Sequence, residues 1–114
     1  MNYTAELYPA LTMEECAKRV SDAVLRGGFG SGTEVDRYTV ETAEGPVCIL
    51  LFDTYYTFTQ STLPLCAVLD TVTGRLRLHL SVKDDSEYHS IRTYPAKKLL
   101  QLVEKALEIG RAHV

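Results

Sequence analysis

From about Glu34 to Lys83 the chain reads with a period of two, and this period decides what most of the chain can become. Successive side chains of an extended strand point to opposite sides, so a period of two reads as strand, not helix. "EVDRYTVETA" puts Tyr38 and Val40 on one side, and "EGP" reads as a turn. "PVCILLFDTYYTF" is a long strand with a continuous apolar centre, broken by "TQST". "LPLCAVLDTV" is a further strand, "TG" turns the chain, and "RLRLHLSVK" follows. In that last run Leu76, Leu78, Leu80 and Val82 face one way, while Arg75, Arg77, His79 and Ser81 face the other. Such alternation predicts a sheet with one buried face and one wet face.

A short strand and two helices flank this block. "NYTAELYP" alternates through Tyr3, Ala5 and Leu7 and stops at Pro9. Thr12 followed by Glu15 forms a capping box, which predicts a helix starting near Met13. Met13, Cys16, Ala17, Val20, Ala23 and Val24 give that helix one apolar stripe. At the other end, Pro95 suits the first turn of a helix. Leu99, Leu102, Val103, Ala106, Leu107 and Ile109 form its apolar face. The order strand, helix, four strands, helix predicts a single α+β domain over residues 1–114. Its architecture is a two-layer sandwich, with two helices on one face of a mostly antiparallel sheet of about five strands.

"GGFGSG", from Gly27 to Gly32, invites a nucleotide-binding reading. A phosphate loop needs the positive N-terminus of the helix that follows it. Here the glycines follow a helix and precede a strand, and their spacing fits no phosphate-binding pattern. They read as a helix end and a connection.

A net charge of −3 argues against nucleic acid, which calls for a concentrated basic face. No apolar run approaches the ~18 residues of a membrane helix, and "MNYTAELYPA" lacks the features of a signal peptide. Cys16, Cys48 and Cys66 form no C-x-x-C pair and read as reduced thiols, which places the protein in the cytoplasm.

"VCILLF" is apolar on both sides: Cys48, Leu50 and Phe52 on one, Val47, Ile49 and Leu51 on the other. A strand of this kind is expected at the centre of a sheet with both faces covered. Two helices cover one face only, so Val47, Ile49 and Leu51 are the candidate contact with a second subunit or a ligand.

Arg92, Lys97 and Lys98 surround the expected start of the last helix, where the helix dipole disfavours positive charge. With the free N–H groups there they form a candidate anion site. Tyr55 and Tyr56, beside Asp53, are candidates for the wall of a ligand pocket, as aromatic rings with a polar tip. Asp84, Asp85, Glu87 and His89 match neither EF-hand nor zinc spacing and read as a solvated connection, so no metal or cofactor is expected. No G-x-S-x-G occurs, His79 and His113 read as solvated, and the cysteines read as buried.

"LFDTYYTFTQSTLPLCAVLD" resembles the central segment of a family of short uncharacterised bacterial proteins, a domain of unknown function. Phe52, Asp53, Tyr55 and Tyr56 carry the resemblance. The chain has "KDDSEYHS" where a glycine-rich segment would be expected in that family. The resemblance implies a small bacterial cytosolic protein and assigns no catalytic residue.

The expectation is a non-enzymatic module that acts by association as a homodimer through the outer face of its sheet. The alternative is a module for a small molecule or anion, with a pocket near the start of the last helix.

Overall fold

The computed structural model describes residues 2–27, 31–56, 60–83 and 93–111. Strand β1 (Asn2–Leu7) leads into helix α1 (Met13–Arg26). Strands β2 (Ser31–Thr42), β3 (Gly45–Tyr56), β4 (Ser61–Asp70) and β5 (Arg77–Lys83) follow, and helix α2 (Thr93–Arg111) comes last. The sheet order is β1-β5-β4-β3-β2 and every pairing is antiparallel. Strands β2 to β5 form a meander. The chain reaches the opposite edge from β1 by way of α1, so β1 closes the sheet beside β5. This is the α+β sandwich that the two periods predict.

Local chemistry sets the ends of α1. The Thr12 hydroxyl accepts from the Glu15 N–H at 3.1 Å, which satisfies one of the helix's free donors. Gly27 caps the other end and donates its N–H to the Ala23 carbonyl at 3.0 Å. Its φ of −81° is open to any residue. Glycine is required there by space: a Cβ would lie 2.3 Å from the Ala23 oxygen and 2.9 Å from Leu102 Cδ2 of α2. The glycine cap therefore lets the end of α1 lie against α2.

Two turns show why their residues suit them. Gly45, at φ +113°, closes the β2–β3 turn, where the Thr42 hydroxyl donates to the Gly45 carbonyl at 2.7 Å. Between β4 and β5, Asp70 Oδ1 accepts from the Val72 N–H at 3.1 Å, and Gly74 takes φ +90°.

The core lies between the sheet and both helices. Leu50, Phe52, Leu65, Leu69, Leu78, Leu80 and Val82 meet Cys16, Val20 and Val24 of α1, and Leu99, Val103 and Leu107 of α2. Each buried leucine contributes roughly 1.5–3 kcal/mol by leaving water. The apolar stripe read for α1 is the buried one, with Met13 packed at its margin. In α2, Leu102 and Ala106 are only partly buried, while Ala96 and Leu100 join the core. The buried stripe of α2 is thus turned slightly from the one read in the sequence. Thr54 is the polar exception on this side, and its hydroxyl donates to the Leu63 carbonyl at 2.8 Å.

Candidate functional site: the open face of the sheet

Both helices lie on one side of the sheet, and no described element covers the other. Residues directly opposite each other in an antiparallel pair share a face, so the strand register gives the composition of this open face. One row across it runs Tyr38, Ile49, Val68, His79, Glu6. The next runs Asp36, Leu51, Cys66, Ser81, Thr4. Beside them lie Val40 and Val47 at one end, and Thr33, Asp53, Pro64 and Lys83 at the other. The face is therefore divided. Strands β2, β3 and β4 supply its apolar residues, interrupted by Asp36, Asp53 and, opposite Arg77, Asp70, while β5 with β1 supply a polar half.

Val47, Ile49, Leu51, Pro64, Cys66 and Val68 are all half-buried, while Tyr38 is 56% exposed. The sequence reading expected "VCILLF" to be covered on both faces. Its inner residues Cys48, Leu50 and Phe52 are buried against the helices. Val47, Ile49 and Leu51 are only half covered, by their own neighbours in the sheet. In addition, β3 lies next to the edge strand β2, and β4 is the middle strand.

A bulge deforms one margin of the apolar half. Glu34 opposes Phe52 and Asp36 opposes Leu51, which leaves Val35 as an extra residue in β2. Val35 is 56% exposed. It borders a depression of about 360 Å³ whose walls include Leu51, Asp53, Pro64, Cys66 and Lys83. On the inner side of the bulge, Glu34 Oε1 accepts from Arg37 at 2.8 Å and from the Ser21 hydroxyl at 3.3 Å. The hydrogen bond from Arg37 holds the Glu34 carboxyl below its ordinary pKa and raises that of Arg37.

The polar half is tied together internally. Arg77 donates from Nε and Nη2 to Asp70 Oδ2 at 3.2 and 3.1 Å, which raises the arginine's pKa further. His79 Nδ1 lies 3.7 Å from Glu6 Oε1, and the Tyr8 hydroxyl donates to Glu6 Oε2 at 3.4 Å. The Arg75 guanidinium sits 4.6 Å from the centre of the Tyr8 ring.

The proposed ligand residues do not converge. Tyr55 and Tyr56 are adjacent in a strand and so face opposite ways: Tyr55 is exposed on the open side, and Tyr56 is buried under α2. Lys98 Nζ donates to the Tyr56 hydroxyl at 3.3 Å and lies 5.2 Å from its ring centre. The lysine's charge thus has a phenol and a ring face beside it. Lys97 points to solvent. Helix α2 begins at Thr93, which puts Lys97 and Lys98 in its second turn rather than among the free N–H groups of its first. Arg92 lies outside the described residues, as do Asp84, Asp85, Glu87 and His89. Among the described residues, no group of three or more His, Cys, Asp or Glu side chains could hold a metal ion.

All three thiols are free. Burial pushes Cys16 up to about 12 and raises Cys66 above the ordinary thiol value, so neither carries the thiolate that reactivity needs. Among the described residues, no helix is long and apolar enough to cross a membrane.

No protein-family model matches the chain, and a search of curated proteins finds no match. The resemblance carried by Phe52, Asp53, Tyr55 and Tyr56 rests on those residues alone. Of the four, Phe52 and Tyr56 belong to the core, and Asp53 and Tyr55 to the open face.

Proposed function

We propose that this protein acts by association and not by catalysis, as a homodimer joined through the open face of its sheet. One observation carries the reading: Val47, Ile49 and Leu51 continue directly into Val68, Cys66 and Pro64 on a face that no described element covers. A contiguous apolar patch of this kind marks an interaction surface. A second copy is the partner that matches it, because a two-fold interface sets the same patch against itself and needs no other apolar surface. Free cysteines suit a reducing compartment, the bacterial cytoplasm. Burial raises the pKa of Cys66, the thiol on the described part of the open face, away from the low value a catalytic thiol needs.

The test is Ile49→Lys. A lysine at the centre of the patch buries a charge in the dimer and lies in water in the monomer. Sedimentation analysis should give a folded monomer where the parent chain gives a dimer. A variant that stays dimeric at the same concentration would put the interface elsewhere.

A further inference from the structure

Resting on the homodimer reading, we propose that Tyr38 sets how the two copies dock. Its ring enters the partner's depression beside Leu51, Pro64 and Cys66, and the partner's Tyr38 enters the same depression here.

A two-fold interface sets one patch against itself. A side chain that projects from the patch therefore needs a hollow elsewhere on that patch. The open face carries both. Tyr38 is 56% exposed, on the outermost strand and in the row of Ile49 and Val68. The depression of about 360 Å³ lies further along the strands, over Cys66 and Pro64, and Tyr38 is not one of its walls. A cavity of ~150 Å³ holds a benzene molecule, so there is room for a phenol ring. The walls are mostly apolar, and Asp53 at the rim is an acceptor for the phenol hydroxyl. Tyrosine is also among the residues that most often carry an interface.

Seating the ring this way decides what else meets. The two-fold axis passes midway between Tyr38 and the depression, obliquely across β3. Strands lie ~4.8 Å apart, and alternate residues along a strand ~6.8 Å apart. On that grid Ile49 lies over the partner's Cys66, and Val68 over the partner's Val68, so apolar side chains cover one another. The two sheets cross at nearly a right angle, one of the two ways in which sheets pack. Asp36 comes near its own copy at the exposed margin, where water and salt screen the repulsion.

The other exposed side chains of this face do not meet the condition. Val35 is itself a wall of the depression. Tyr55 stands at the end of β3, and placing it in the partner's depression moves the axis over Asp53 and Pro64. Ile49 and Val68 would then hang beyond the partner's strand ends, uncovered.

Two variants test this. Tyr38→Ala removes the ring, and Cys66→Phe fills the depression from its floor. Each alone should dimerise at least ~30-fold more weakly than the parent, about 2 kcal/mol, while Tyr55→Ala should dimerise as the parent does. Mixed in equal amounts, the two should form heterodimer well above the statistical half of all dimers, read by native mass spectrometry. In that pair the remaining ring meets the remaining depression, and the filled depression meets no ring. Tyr38→Ala, at an exposed position, keeps the test falsifiable should Cys66→Phe not fold. A statistical mixture, or a Tyr38→Ala chain as dimeric as its parent, would overturn the docking; if Ile49→Lys still makes the chain monomeric, the homodimer stands. A parent dimer that retains a small molecule, lost on Cys66→Phe, would give the depression to a ligand and overturn the docking as well. A monomeric parent would overturn the homodimer reading and this inference with it.

Discussion

Replacing Gly27 by alanine sets two physical rules against each other. Gly27 has φ −81°, a conformation alanine adopts without strain. On backbone entropy alone the substitution would stabilise the fold by about 0.4–1 kcal/mol. The added Cβ, however, would lie 2.3 Å from the Ala23 carbonyl oxygen and 2.9 Å from Leu102 Cδ2. Leu102 can give way by changing rotamer; the Ala23 oxygen belongs to the helix backbone and accepts the capping hydrogen bond from Gly27 itself. Relieving the clash must therefore move the end of α1 and stretch that bond. Overpacking of this kind costs about 1–3 kcal/mol. At roughly 2.1 cal/mol/K of unfolding entropy per residue, each kcal/mol shifts the midpoint by about 4 °C in a chain of this length. With the entropy gain subtracted, the middle of both ranges leaves a net loss of about 1.3 kcal/mol, so Gly27→Ala should lower Tm by about 5 °C in a thermal melt followed by circular dichroism. An unchanged or raised Tm would refute the argument that proximity to α2, and not backbone conformation, keeps glycine at the cap.

Two further outcomes follow from the buried groups. Thr54→Val keeps the side chain's shape and removes its hydrogen bond to the Leu63 carbonyl, so denaturant unfolding should show a loss of about 0.5–1.5 kcal/mol. Cys16 governs part of the alkaline behaviour: folding raises its pKa from 9.0 to about 12 by burial, so the folded chain keeps a proton that the unfolded chain releases. Its contribution is complete below pH 9 and is lost as pH rises towards 12, by up to about 1.4 kcal/mol per pH unit. Cys16→Ala should therefore lose stability less steeply than the parent between pH 9 and 11, and parallel pH profiles would contradict this.

What the sequence made legible was what depends on neighbours along the chain. The Thr12 cap, the strand alternation from Leu76 to Val82 and the stripe of α1 are all local patterns, and the structure has them, although the Glu15 carboxylate pairs with Arg19 where a capping box would return it to Thr12. Strand order was not legible. Pairing β1 with β5 depends on contacts between segments more than seventy residues apart, and alternation is the same on an edge strand as on an inner one. The bulge at Val35 left a trace, since Val35 stands three residues before Tyr38 and out of phase with the Tyr38–Val40 alternation, but only the pairing with β3 shows which residue is extra. Tyr55 and Tyr56 could have been separated at once, because a period of two puts neighbours on opposite faces. The start of α2 misled because Pro95 is tolerated anywhere in a first turn; with the helix beginning at Thr93 it is the third residue, and the lysines move inward by about half a turn. Of the candidate interface, Val47, Ile49 and Leu51 were legible from one strand. Their continuation into Pro64, Cys66 and Val68 emerged only with the register of β4.

The central claim is that the open apolar half of the sheet is covered by a second copy. Native mass spectrometry of the parent chain at low micromolar concentration tests it most directly. The account predicts a species of twice the 12.7 kDa chain mass, with little monomer. A bare species of 12.7 kDa under the same conditions would contradict it.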